Sequence, residues 1–200
     1  GGPSRYFAGE RGAHVTGIDL TDEYVRAAAS LSRMVGLGDR TEYRTGSALD
    51  LPFDAGTFEG AYMLHVGMNI ADKAALFRGV RRVIAPGGVF AVYDVMRIGD
   101  GDLTFPVPWA TQPSTSFLDT TDTYRRLLRA GGFDVLHERV RRGFAIEFFR
   151  RMRERMAASG PSPLGLHVVM GPTAPQKVAN MVANIAEGRI APVEMIARAV

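Results

Sequence analysis

Residues 57–96 read TFEGAYMLHVGMNIADKAALFRGVRRVIAPGGVFAVYDVM. Residues 57–64 predict a strand, with HVGMN at its carboxyl end. From Asp72 to Ile84 the apolar residues recur at helical spacing, and Leu76, Val80 and Val83 share one face. APGG (85–88) predicts a turn. VFAVYDVM (89–96) is almost continuously apolar, as a strand covered by helices on both faces must be. Strand, helix and buried strand in succession predict an α/β domain built on parallel pairing.

The same alternation extends outward. HVTGI (14–18) predicts a strand ending in Asp19. Residues 21–35 predict a helix with Thr21 as cap and Asp22 and Glu23 at its positive end. Tyr24, Ala28, Leu31 and Val35 form its apolar stripe, and Gly36 and Gly38 end it. Residues 42–45 predict a weak strand, and GSALDLPFDAGT (46–57) a loop. Toward the C-terminus, 97–118 lacks periodicity and is longer than most connections. A helix at 120–130 places Tyr124, Leu127 and Leu128 inward, before a strand at 133–140. Residues 144–158 are amphipathic, with Phe148, Phe149, Met152 and Met156 on one side and arginines largely elsewhere, which predicts a solvated face. Residues 161–171 are loop-rich. A last helix at 175–187 turns Val178, Met181, Val182 and Ile185 inward, and 190–200 predicts a terminal strand. The expected architecture is a three-layer α/β sheet with helices on both faces. It forms a single domain over 1–200, with additions at 97–118 and 143–187.

Composition narrows the function. The chain has 200 residues, 46% of them hydrophobic, enough for a core. Lys plus Arg number 24 against 21 Asp plus Glu, a net charge of +3, which argues against a nucleic-acid binder driven by phosphate neutralisation. Cysteine is absent, so disulfides, thiolate metal sites and cysteine nucleophiles are excluded. The histidines, at 14, 65, 137 and 167, show no metal spacing. No apolar run reaches the roughly eighteen residues of a membrane span, and GGPSRYFAGERG is not a signal peptide. A cytoplasmic location is expected. The chain opens on two glycines without an initiator Met, so a preceding segment is also expected.

In open α/β sheets, ligands bind beyond the carboxyl ends of the strands. That rule selects Gly1 and Gly2, Asp19, Gly46 to Leu49, His65 to Asn69, and Asp94 to Arg97. A carboxylate at Asp19 can accept both hydroxyls of a ribose, or it can cap the following helix. Arg97 can pair with a carboxylate or phosphate of a substrate. Trp109, with Phe105 and Phe117, can wall a pocket or plug the long loop.

GGPSRYFA, HVTGIDLT, GSALDLPF, TFEGAYMLHVGMN and RRVIAPGGVFAVYDVM, in that order, resemble the successive motifs of class I S-adenosylmethionine-dependent methyltransferases. The likeness is nearest to the small-molecule group that includes quinone C-methyltransferases and glycine and sarcosine N-methyltransferases. It covers residues 1–96 and continues loosely through 119–141. The resemblance implies S-adenosylmethionine as cofactor. Gly1 and Gly2 would end the glycine-rich motif. Asp19 would hold the ribose, with Ile18 and Leu20 beside the adenosine. Ser47, Ala48 and Leu49 would meet the adenine. His65 would stand beside the methionine moiety and the acceptor.

His65 is the first candidate base and Asp94 the second. Tyr24, Met68, Asn69, Arg97 and Trp109 are the substrate-side candidates. Two departures stand out. Ser47 replaces the family's usual acid, and the family's first strand, central in its order 3-2-1-4-5-7-6, is missing. The expected function is methyl transfer to a small molecule, an amine in the leading version. The alternative is a non-catalytic nucleoside-binding or protein-interaction domain on the same fold. A homodimer is an open expectation, and a nucleic-acid partner is not expected.

Overall fold

The structure is a computed structural model that describes residues 1–160 and 163–200. It separates into two compact units, Gly1–Thr57 and Phe58–Val200. The first holds α1 (Gly2–Arg11), β1 (Val15–Asp19), α2 (Asp22–Met34) and β2 (Thr41–Thr45). β1 and β2 pair in parallel, from Val15 opposite Thr41 to Asp19 opposite Thr45. The second holds β3 (Phe58–Leu64), α3 (Lys73–Val83), β4 (Ile84–Arg97), α4 (Thr121–Ala130) and β5 (Phe133–Val140), then α5 (Arg142–Ser159), α6 (Leu166–Met170), α7 (Ala174–Ala186) and β6 (Ile190–Ala199). Its mixed sheet has the order β3-β4-β6-β5, with β3 parallel to β4 and β6 antiparallel to both neighbours. These two sheets contain the pairings of the order 3-2-1-4-5-7-6 that do not involve its first strand. The α/β fold with a helix-flanked mixed sheet is therefore as expected.

Side-chain alternation along β4 explains the layers. Phe90 points toward α3 and α4, where its ring lies 6.1 Å from Phe77 and 5.5 Å from Phe133, and Phe77 in turn lies 5.6 Å from Tyr124. Val95 points to the other face. There it joins Met68, Ala145 of α5, Ile185 of α7 and Ile190, with Trp109 and Phe149 packed against them.

The turn predicted at APGG is instead an excursion inside β4. Phe58 pairs with Ile84 and Gly60 with Val89, so β4 advances from 84 to 89 while β3 advances only from 58 to 60. Gly87 takes up a φ of 78° there. A Cβ on Gly88 would lie 2.5 Å from the Glu59 carbonyl oxygen and 2.5 Å from Ile84 Cγ2. The first of these is backbone and cannot swing away. Gly88→Ala is expected to lose about 2 kcal/mol of stability by urea denaturation. A change below about 0.5 kcal/mol would show that the bulge relaxes freely.

Three other expectations change. The predicted stripe on α2 is wrong for Tyr24, Leu31 and Val35, which are 51%, 47% and 61% exposed. The helix instead buries the small residues Ala28 and Ser32, and Ser32 Oγ lies 3.0 Å from the Tyr43 hydroxyl. Small side chains let the backbone approach closely, so bulk misidentified the inner face. Within the loop-rich segment, Leu166–Met170 is helical, whereas 161 and 162 lie outside the described residues. On α7 the deepest residues are Asn184 and Ile185, while Val178, Met181 and Val182 are half-buried. The solvated reading of α5 agrees with the exposure of Phe144, Phe148 and Met156.

Candidate active site

The candidate positions fall in both units, and each set has its own geometry. In Gly1–Thr57, Asp19 is the exposed last residue of β1. Its Oδ1 accepts the Thr21 backbone N–H at 2.9 Å, so the carboxylate caps the entry to α2, and the Thr21 side chain makes no cap bond. The helix-cap reading is thus realised. It commits only one oxygen to a hydrogen bond among the described residues, and the Gly1 amino group is near enough to feel the carboxylate's charge.

Leu20, beside it, is 74% exposed, and Leu49 is 45% exposed. Ile18 is half-buried. Ser47 Oγ accepts the Leu49 N–H at 3.1 Å, which fixes the turn through Ala48. A Cβ on Gly2 would meet nothing within 4 Å, whereas one on Gly1 would come within 2.8 Å of Ala28 and 2.9 Å of the Tyr43 hydroxyl. Gly1 is therefore needed for packing and Gly2 borders open space. A carboxylate oxygen outside the cap bond, exposed apolar side chains and a glycine facing open space fit the ribose and flat base of a nucleoside. Tyr24, on the first turn of α2, is exposed.

In Phe58–Val200, β3 ends at Leu64 and the next residue, His65, has a φ of 57°. A left-handed conformation is uncommon for a residue with a Cβ and clusters at functional sites. It is held by the His65 N–H donating to the Tyr93 carbonyl at 2.8 Å and by the ring standing edge-on to Tyr93 at 5.1 Å. Desolvation lowers the imidazole pKa below its ordinary 6.5, although one side of the residue still meets solvent. A neutral imidazole at neutral pH can accept a proton. Asn69, four residues on, is exposed.

Asp94 is placed differently from expectation. It is fully buried, taking the Tyr124 hydroxyl at 2.8 Å and the Val95 N–H at 3.1 Å, with the Met68 N–H as a further donor. Burial pushes its pKa up to about 6, against the lowering effects of these bonds and of Lys73. Burial, and then the facing carboxylate, raise the Tyr124 pKa as well. A carboxyl group sealed in this way is spent on positioning its neighbours. Met68 is 6% exposed and belongs to the core cluster, so its side chain is not a pocket wall.

Arg97, Asp102, Leu103, Phe105, Ser116 and Leu118 line an open recess of about 570 Å³ beyond the end of β4. Arg97 donates to the Gly101 carbonyl at 2.9 Å. Trp109 lies behind this recess: its ring packs on the core cluster while Nε1 donates to Ser116 Oγ at 3.0 Å. The plug reading of Trp109 fits this placement better than the wall reading. Asn184 of α7 is buried and grips the loop from behind, accepting the Thr104 N–H and donating to the Thr104 carbonyl, each at 3.0 Å.

Two polar residues escaped the sequence reading. Lys73, at the first turn of α3, is 2% exposed, and Tyr124, read only as an inward apolar side chain, carries a hydroxyl bonded to Asp94. A signal for Lys73 was present: a cation at a helix start opposes the helix dipole and calls for a local anion or acceptor.

Residues 1–92 match the family model for a methyltransferase domain. Erythromycin 3''-O-methyltransferase of Saccharopolyspora erythraea is 33% identical over 144 residues, 64% of this chain and 46% of that protein. The chain spans less than two thirds of the length of the curated relatives it matches. Among solved structures, phosphoethanolamine N-methyltransferase 2 of Haemonchus contortus has a TM-score of 0.75 at 18% identity, covering all of this chain and 46% of the other. The [4+2]-cyclase SpnF has a TM-score of 0.71 at 23% identity, covering 94% and 66%. At such identities the structures speak for the fold alone. The sequence likeness to methyltransferases thus rests on residues 1–92 and on partial matches to longer relatives, and the likeness over the whole chain is one of fold. Among the described residues no helix is long and apolar enough to cross a membrane, and no cluster of His, Asp and Glu could hold a metal ion.

Proposed function

We propose that this chain transfers a methyl group from S-adenosylmethionine to a small-molecule acceptor. The observation that carries the reading is Asp19: an exposed strand-tip carboxylate with one oxygen spent on its own backbone and the other left to accept a ribose hydroxyl. The cofactor supplies a methyl group activated on a sulfonium. The chain's part is to hold the nucleoside through Asp19, Leu20 and the 47–49 turn, to orient the acceptor, and to take a proton where the acceptor must lose one. His65, neutral and open to solvent, is the candidate for that proton.

The acceptor reading is a compact amphipathic amine. Asp102 in the recess offers a carboxylate to an ammonium, Arg97 offers a cation to an acid group, and Leu103, Phe105 and Leu118 offer apolar walls. S-adenosylhomocysteine formation measured over amines, hydroxyl compounds and quinols tests this choice, and activity confined to hydroxyl compounds rejects the amine.

For the cofactor, the test is calorimetric titration of the full chain with S-adenosylmethionine and S-adenosylhomocysteine. Asp19→Ala is expected to weaken both by about 10- to 100-fold, the loss of one or two charge-assisted hydrogen bonds. Unchanged affinity removes Asp19 from the site. The second reading, a domain that keeps the fold without methyl transfer, draws on the cyclase with the same fold, since fold does not set chemistry. It predicts nucleoside binding with no S-adenosylhomocysteine formed with any acceptor.

A further inference from the structure

We propose that Lys73 is a positioning residue, a buried ammonium that staples the end of the long loop to the turn carrying His65. The inference rests on the methyltransferase reading only for its catalytic consequence. The Lys73 side chain is 1% exposed. It sits at the start of α3, where the helix dipole opposes it, and a buried cation is costly unless its donors are used. They are used on two separate segments. Nζ donates to the Ile70 carbonyl at 3.0 Å and to the Phe117 carbonyl, and it lies 3.5 Å from Asp119 Oδ2. The Tyr124 ring lies under it at 5.6 Å.

The Phe117 N–H in turn donates to the Met68 carbonyl at 2.9 Å, so both polar groups of Phe117 are committed to this junction. From beneath, Asp94 takes the Met68 N–H and the Tyr124 hydroxyl. The turn from His65 to Ile70 is thereby clamped between the sheet and the returning loop. Ser116 and Leu118, the neighbours of Phe117, line the recess beyond β4. One ammonium therefore sets the register between the imidazole-bearing turn and the recess wall. The alternative is a polar contact that serves stability alone.

Lys73→Met in the full chain separates the two. It keeps the apolar stem and deletes the charge. Amide exchange at Phe117 and Ile70 is expected to quicken at least tenfold, while Val92 of β4 and Met195 of β6 keep their protection. With acceptor saturating, kcat is expected to fall at least tenfold, with cofactor affinity unchanged within threefold. Asp119→Asn, at a side chain 37% exposed, is the milder variant should Lys73→Met fail to fold, and is expected to quicken exchange at Phe117 about threefold. Exchange at Phe117 that does not change, or that rises equally in β4 and β6, overturns the proposal. So does local loosening with kcat intact. Local loosening in a chain that binds no S-adenosylmethionine leaves the staple standing and overturns the methyltransferase reading instead.

Discussion

His65→Asn is expected to lower kcat of the proposed methyl transfer by about 10²- to 10⁴-fold, the range for a positioned general base, while cofactor affinity by calorimetry changes less than about threefold. Asparagine is the right replacement because the backbone at this position has a φ of 57°. Asn tolerates that conformation better than other non-glycine residues, so the backbone bond to the Tyr93 carbonyl survives. What disappears is the imidazole, whose lowered pKa leaves it neutral and able to accept a proton at neutral pH. Activity should fall in acid as the ring protonates, with a midpoint below the ordinary 6.5. A variant that retains full turnover, or that loses turnover and cofactor affinity equally, removes His65 from the acceptor side.

Much of the fold was legible because its elements carry strong local signals. α3 shows why: Asp72 caps it by accepting the Ala75 N–H at 2.8 Å, and Leu76, Val80 and Val83 are buried as their spacing requires. The β3–β4 pairing follows from two apolar runs joined by one helix. The inner face of α2 was not legible, because close packing there selects Ala28 and Ser32 and leaves the bulky residues outside.

In the candidate site, positions at strand ends could be named from topology, and Asp19 and His65 do stand at the ends of β1 and β3. Their states could not be named. Whether a strand-end carboxylate faces a ligand or the core depends on side-chain parity and on partners far away in sequence. Asp94 shares the face of Phe90 and meets Tyr124, thirty residues on. Nor could a pattern of residue types show that Lys73 reaches a carbonyl at 117. Buried polar junctions of this kind join segments whose separation no local period encodes.

The fate of Asp94 gives the second large effect. Its folded pKa is raised from the ordinary 3.8 to about 6, chiefly by burial. Between about pH 4 and 6 the folded state therefore binds more protons than the unfolded state, and stability falls as pH rises across that window. The contribution of the neutral carboxyl is fully present below the unfolded value and is lost as pH passes the folded value. The span corresponds to about 3 kcal/mol.

Asp94→Asn cannot ionise, so its urea-unfolding free energy, followed from pH 4 to 8, should lack this decline. The difference between the two curves should change by about 3 kcal/mol across the window and be flat above it. Taking the difference cancels the titration of His65, whose lowered pKa acts in the opposite direction. Parallel curves would show that Asp94 titrates as an ordinary carboxylate and that its burial is relieved. At neutral pH the ionised form holds, and an ionised acceptor binds the Tyr124 hydroxyl and the Met68 N–H more strongly than a neutral one does. The stability given up above pH 6 is thus tied to a firmer turn beneath His65. The asparagine variant should separate the two, keeping stability at pH 7 while quickening amide exchange at Met68.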